Sequence, residues 1–210
     1  MKIRWLGHSS FKLRINNLLL YIDPYAGEDY SDKADIILVS HGDYDHCNAE
    51  KIRQARTDDT LVITSADNAG HINAKALFPG NDIEHKGIRI RAVHAYKINR
   101  LHHEKEETGI GFLVSYDNKS LYHAGESDLI PEMTGLNPTV ALIPVGGTYT
   151  MDARQAAVAA ERINPEYAIP MHYGEGIVGN MDDAENFMEL LENNKKIKVL
   201  ILRKEEELDI

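Results

Sequence analysis

The feature that most constrains the fold of this chain is an apolar strand that stops at a dense group of polar side chains. Residues 34–40 (ADIILVS) have the length and apolar content of a buried strand. His41, Asp43, Asp45 and His46 then follow within six residues. A loop at that point turns several side chains toward one place, which an element of fixed pitch cannot do.

These four side chains share the ability to bind a metal ion. Imidazole and carboxylate together suit zinc, iron or manganese. The alternative interpretation is a polar loop in which Asp45 caps the helix that follows. Local sequence alone leaves both open.

The order of predicted elements favours two sheets with helices packed outside them. Asn16 and Asn17 are typical of a two-residue hairpin turn. Asp152 with Gln155, and Asp182 with Glu185, have the spacing of capping boxes, which predicts that helices begin there. The predicted strands are residues 3–6, 11–15, 18–22, 34–40, 61–64, 88–93, 110–116, 120–123, 140–145, 167–171 and 198–203, and the helices are 49–55, 66–77, 156–163 and a last one through residue 191.

Length and composition predict one soluble domain over residues 1–210. The chain has 43% hydrophobic and 27% charged residues, and no apolar run reaches the roughly 18 residues that a membrane span needs. A single cysteine excludes an intrachain disulfide and, with no signal-peptide pattern, favours the cytoplasm. The net charge of −10 makes nucleic acid an unlikely partner and favours a small-molecule substrate.

Further candidate ligands come at the ends of other predicted strands. His172 closes the strand 167–171, Glu126 follows the strand 120–123, and His94 ends the strand 88–93. His102 and His103 lie in the next loop. Strand ends at one edge of a sheet are common places for active sites, so these residues and the first loop predict one shared site.

Several of these segments together resemble the metallo-β-lactamase superfamily. Residues 41–46 (HGDYDH) are similar to its His-x-His-x-Asp-His signature, except at Asp43. The segments closest to its small hydrolases, among them L-ascorbate-6-phosphate lactonase, are residues 5–11 (WLGHSSF), 22–24 (IDP), 123–126 (HAGE), 144–152 (PVGGTYTMD) and 169–174 (IPMHYG). The resemblance implies an α/β (α+β) four-layer αββα sandwich covering nearly the whole chain.

The resemblance also implies a binuclear site with two divalent ions, zinc first and manganese or iron as alternatives. One ion would be held by His41, position 43 and a histidine of the middle loop. The other would be held by Asp45, His46 and His172, with Glu126 as the bridge. A metal-bound water would be the nucleophile, and Asp45 would orient it and carry its proton.

Two positions depart from the family pattern. Asp43 stands where a histidine is usual, which makes the site harder and strengthens the case for manganese or iron as alternatives to zinc. Glu126 stands where an aspartate is usual, and Asp128 is an alternative bridge. For the middle histidine we take His103 first, because a basic residue lies two places on, then His102 and then His94.

Three further residues have two interpretations each. His8 either has a role in the site, where it lines the pocket or orients a metal ligand, or forms a structural turn. Thr148 either binds an anionic substrate group or caps a helix. The Cys47 thiol is a metal ligand or, as we favour, a small buried side chain.

The sequence thus predicts a metal-dependent hydrolase acting on a small ester, lactone or phosphate-bearing metabolite. The alternatives are a di-iron redox enzyme, motivated by Asp43, and a degenerate, non-catalytic metal-binding relative. A homo-oligomer is compatible with the resemblance.

Overall fold

The computed structural model describes residues 1–98, 109–174 and 178–210, and two seven-stranded sheets dominate it. Strands of the first sheet are β1 (Lys2–Gly7), β2 (Ser10–Ile15), β3 (Leu18–Ile22), β4 (Ile36–Val39), β5 (Leu61–Thr64), β6 (Lys75–Ala76) and β14 (Glu207–Asp209). Strands of the second are β7 (Asp82–His85), β8 (Ile88–Ala95), β9 (Gly109–Tyr116), β10 (Lys119–His123), β11 (Val140–Pro144), β12 (Tyr167–Met171) and β13 (Lys198–Val199).

The first sheet has the order β14-β1-β2-β3-β4-β5-β6. Its hairpin between β2 and β3 pairs Ile15 with Leu18 across a two-residue turn, as the two asparagines predicted. Asn16 adopts a φ of +54°, a left-handed conformation that asparagine tolerates better than most residues. From β3 to β6 the strands run parallel.

The second sheet has the order β13-β12-β11-β10-β9-β8-β7. Strands β7 to β10 are antiparallel neighbours, and β10 to β13 are parallel. The five residues of β11 are all buried, which explains why its sequence is an unbroken apolar run.

Helices cover the outer faces of both sheets. They are α1 (Ala49–Ala55), α2 (Ala69–Ile72), α3 (Ala153–Ile163) and α4 (Met181–Leu190). Ile52 and Ala55 of α1 pack with Ile37 and Val39 on one face of the first sheet. A larger core joins the two sheets to each other and to α3 and α4, so the predicted αββα sandwich is confirmed.

Strand direction brings many polar side chains to one edge of the sandwich. β1, β3 and β4 run the same way in the first sheet, and β8, β10 and β12 do so in the second. Two backbone hydrogen bonds join the sheets there, from Ile110 N to Ser40 O (3.0 Å) and from His172 N to His8 O (3.0 Å). The residues that follow these strands therefore converge on one place.

Three predicted elements were wrong in extent. Helix 66–77 is only the four-residue α2, followed by the short strand β6. Strand 198–203 is only β13, because the chain then leaves the sheet. The last helix is capped by Asn180 with Asp183, two residues earlier than the predicted box, since the Asn180 side chain accepts from the Asp182 amide at 2.7 Å.

In the described ranges, none of the helices has the length and apolar character required to span a bilayer.

Candidate metal centre

A buried carboxylate fixes the loop that follows β4. Asp23 lies just after β3 and is fully buried. Its Oδ1 accepts a hydrogen bond from the Ser40 amide, and its Oδ2 accepts one from the Ser40 hydroxyl, both at 2.7 Å. The same Oδ2 lies 2.7 Å from His46 Nδ1. β3 and β4 pair in parallel, so the residues that follow them, Asp23 and Ser40, lie side by side although they are far apart in the sequence.

The hydrogen bond to Asp23 decides which nitrogen of His46 can bind a ligand. Burial alone would raise the pKa of Asp23, but the hydrogen bond with His46 and the nearby imidazole charges lower it to about 2. Asp23 is therefore an ionised acceptor at neutral pH, and Nδ1 of His46 carries the proton. His46 Nε2 is left with its lone pair pointing into the site, which is the usual arrangement behind a histidine that binds metal.

Two groups of potential ligand atoms meet at His46. One contains His8, Asp45, His46 and His172, and the other contains His41, His46 and Glu126. Within each group the ligand atoms lie within 4.8 Å of one another, and every residue is buried. Nitrogen and carboxylate oxygen donors at this spacing are the ligand set of zinc, manganese or iron.

Glu126 connects the two groups. Its Oε2 lies 3.2 Å from His41 Nε2, and its Oε1 lies 3.6 Å from His172 Nε2. Gly125 makes this position possible, since a Cβ there would lie 2.7 Å from the Ile110 carbonyl and φ is +63°. His123 supports the same turn, because its Nδ1 accepts from the Gly125 amide at 3.1 Å.

Buried nitrogens without hydrogen-bond partners test whether these residues suit a cation. Within the described ranges, His46 Nε2, His172 Nε2 and both ring nitrogens of His8 are buried and make no hydrogen bond. An unsatisfied buried polar atom costs about 1–3 kcal/mol. Several such atoms directed at one small volume are best explained by an ion that binds them. These residues therefore suit a metal cation.

The electrostatics of the site favour a cation as well. Burial by itself lowers the pKa of His41, but the nearby carboxylates of Asp43 and Glu126 outweigh it and raise that pKa to about 10. Burial raises the pKa of Glu126, yet the nearby imidazoles of His172 and His41 lower it overall. The carboxylates thus stay ionised at neutral pH and create a negative potential between the histidines.

Lys97 is a site residue that sequence reasoning missed. It follows β8, is only 7% exposed, and its Nζ lies 3.0 Å from Glu126 Oε2. The ammonium also lies 5.5 Å from the centroid of the Tyr149 ring. Lysines are rarely buried unless paired. In the sequence Lys97 simply follows Tyr96, and nothing nearby indicates that it pairs with Glu126.

The other predicted site residues are placed as follows. Asp43 belongs to neither ligand group; its side chain is 54% exposed, with Oδ2 3.6 Å from His41 Nε2. Thr148 is exposed in the loop before α3, where Asp152 forms the predicted capping box with Gln155. Asp45 does not cap α1, because Asn48 does so through its side-chain oxygen.

Three remaining predicted residues have lesser roles in the described geometry. Cys47 is half-buried outside both groups, where burial raises the pKa of its thiol and the Asn68 amide lies 3.6 Å from Sγ. Asp128 holds the loop after β8 by accepting from the Ile98 amide at 2.8 Å. His94 is half-buried at the end of β8 and joins neither ligand group.

His102 and His103, the first two choices for the middle histidine, lie outside the described residues.

Comparison with known proteins identifies the family. The profile of the family described as "Beta-lactamase superfamily domain" matches residues 2–172. This chain belongs to the beta-lactamase superfamily. A UPF0173 metal-dependent hydrolase of Methanopyrus kandleri is 34% identical, covering 96% of this chain and 96% of its own. Another from Methanoregula boonei is 31% identical over 100% of this chain and 98% of its own.

Solved structures of the superfamily share the fold. A candidate metal-dependent hydrolase from Parabacteroides distasonis has a TM-score of 0.86 at 29% identity, covering 97% of this chain and 93% of its own. The metallo hydrolase Igni18 from Ignicoccus hospitalis has a TM-score of 0.83 at 24% identity, covering 99% and 97%. The predicted family is confirmed, and the chain is a metal-dependent hydrolase of the beta-lactamase superfamily.

Proposed function

We propose that this chain is a binuclear hydrolase that cleaves a small ester, lactone or phosphate-bearing metabolite. The observation that carries the proposal is the pair of ligand groups that share His46, with the two oxygens of Glu126 directed at His41 and His172. Two cations a few ångströms apart are the arrangement that clamps the attacking and leaving oxygens of a displacement. Zinc is the first choice of metal, with manganese or iron as alternatives.

Each ligand follows a strand end, so the site is held by the sheets rather than by long loops. His41 and Glu126 would hold one ion, and Asp45, His46 and His172 would hold the other. Divalent ions in these positions would act as Lewis acids and lower the pKa of water.

Asp45 is the residue that we expect to transfer a proton. It is 8% exposed, and its Oδ2 lies 3.3 Å from His8 Nε2. Burial raises its pKa, but the nearby imidazoles of His8 and His46 lower it overall. Asp45 is therefore a carboxylate at neutral pH that can accept a proton from the attacking water and hand it to the leaving group.

The rim of the site supports a small anionic or polar substrate. Lys97 brings a positive charge to the edge of the ligand groups, and Tyr149 beside it is 48% exposed. Thr148 is exposed next to Tyr149, where its hydroxyl can donate to a substrate oxygen. The net charge of −10 works against a nucleic-acid substrate, so we propose a small molecule of the cytoplasm.

The test compares metal-loaded protein with a matched variant on a panel of lactones, carboxylic esters, phosphomonoesters and phosphodiesters. Asp45→Asn keeps the size of the side chain but removes its charge, and we expect at least a 100-fold lower kcat/KM, on the order of general acid–base contributions. Asp67→Asn, an exposed carboxylate in the loop before α2, is the control and should leave turnover unchanged.

Two results would overturn the proposal. Metal-loaded wild-type protein without turnover on any class would favour the non-catalytic relative. Iron uptake with consumption of oxygen would favour the redox alternative.

A further inference from the structure

His8 occupies a backbone position that is strained and tightly held. It lies between β1 and β2 with a φ of +50°, a region that residues other than glycine rarely adopt. Two donors fix its carbonyl oxygen, the Trp5 indole at 2.9 Å and the His172 amide at 3.0 Å. Strain of this kind persists where the surrounding structure imposes it, and it clusters at functional sites.

The imidazole of His8 is directed into the site. The side chain is 0% exposed, and its ring centroid lies 4.2 Å from that of His172 and 5.4 Å from that of His46. Neither ring nitrogen makes a hydrogen bond with any residue that the structure describes. The nearest acceptor, Asp45 Oδ2, lies 3.3 Å from Nε2 without hydrogen-bond geometry. Burying an imidazole without a hydrogen bond is costly, so the position calls for a ligand.

One distance in this group matches the edge of a tetrahedral metal site. A tetrahedral zinc site with bonds of about 2.0–2.1 Å has edges of about 3.3–3.4 Å between ligand atoms. His8 Nε2 lies 3.3 Å from Asp45 Oδ2, and both belong to a group of four ligand atoms, with His46 and His172, that lie within 4.8 Å of one another.

We propose that His8 is the fourth protein ligand of the ion held by Asp45, His46 and His172. This inference rests on the metal centre of the proposed function and assigns a residue to it. Four protein ligands saturate a tetrahedral ion, as in structural zinc sites, whereas catalytic sites keep a position open. The open position for water and substrate then belongs to the ion near His41 and Glu126.

The test uses the variant His8→Asn, because asparagine tolerates positive φ better than alanine and is too short to reach the ion. His71→Asn, an exposed histidine in α2, is the control for removing an imidazole. Cobalt(II) is titrated into each metal-free protein, and affinity is measured by chelator competition. Visible d–d absorption reports coordination, since four-coordinate cobalt absorbs more strongly than five- or six-coordinate cobalt.

We expect His8→Asn to weaken one cobalt site by more than about 100-fold, beyond the 10–100-fold typical of residues that only orient a ligand. The d–d absorption of that site should fall, and His71→Asn should match the wild type in both respects. A loss below about 10-fold with an unchanged spectrum would overturn the proposal, because His8 would then only position Asp45.

A second measurement covers the case in which His8→Asn does not fold. Histidine imidazoles of the wild-type protein are labelled with a nitrogen isotope and followed by NMR during a zinc titration. His8 Nε2 should shift together with the ring nitrogens of His46 and His172, and a His8 signal that does not move contradicts the proposal. Wild-type protein that takes up no ion at all would instead refute the metal centre itself.

Discussion

Asp23→Asn probes how the protein positions its metal ligands. The substitution keeps the shape of the side chain but replaces a carboxylate with a neutral amide. That carboxylate accepts hydrogen bonds from the Ser40 amide, the Ser40 hydroxyl and His46 Nδ1. The amide of asparagine cannot serve all three donors as a carboxylate does. We expect a less stable metal-free protein and weaker metal binding, since His46 is no longer held in its tautomer and orientation.

The magnitude follows from the pKa of Asp23, which falls from 3.8 to about 2 on folding. A fall of this size corresponds to about 2 kcal/mol of stability at neutral pH. In a chain of this length, that free energy lowers Tm by about 4 to 8 °C. Loss of a carboxylate behind a metal-binding histidine typically costs about 10- to 100-fold in metal affinity.

The sign of the pH dependence is fixed by the direction of the shift. Because the folded pKa is lowered, the stabilisation by Asp23 is present above the unfolded value of 3.8 and is lost as pH falls toward 2. The stability difference between wild type and Asp23→Asn should be constant from pH 7 to about pH 5 and shrink below about pH 4.

Urea unfolding of the metal-free proteins across this pH range measures the difference, and chelator competition measures metal affinity. Asp32→Asn is the control: Asp32 accepts from Lys12 and Arg14 at 2.8 Å, but its side chain is 48% exposed. Surface pairs of this kind contribute about 0–1 kcal/mol. Equal stability of Asp23→Asn and wild type at neutral pH would refute the reasoning.

Two further substitutions test the site. Lys97→Met removes the ammonium that pairs with Glu126, so the free energy of unfolding of metal-free protein should fall by about 1.5–3 kcal/mol. The rise in Tm on adding zinc should exceed that of wild type. An unchanged rise would contradict the pairing. Gly146→Ala puts a Cβ 2.4 Å from the His172 carbonyl oxygen, so urea unfolding should show a loss of about 1–3 kcal/mol with weaker zinc binding. Gly70→Ala, whose Cβ would meet nothing within 4 Å, should be neutral or stabilising.

Local patterns in the sequence were enough to predict much of the framework. The bounds of β3, β5, β12 and α1 match the predicted residues, because periodicity and turn residues decide them locally. The predicted helix 66–77 was wrong in extent because tertiary pairing overrode the local pattern. Its last residues form β6, which pairs with β5.

The composition of the ligand groups was less accessible to sequence reasoning. His41, Asp45 and His46 lie close along the chain, so one loop sufficed to nominate them. The approach of His8 to Asp45, and of Lys97 to Glu126, depends on the order of strands within each sheet, and no local pattern encodes that order. Contacts of this kind follow only from the tertiary structure.

Metal content per chain tests the central claim most directly. The protein is purified without chelators or a histidine tag, and zinc, manganese and iron are measured by elemental analysis. The account predicts about two equivalents per chain, one for each of the ligand groups that meet at His46. Protein that carries no metal and takes none up on titration would contradict it.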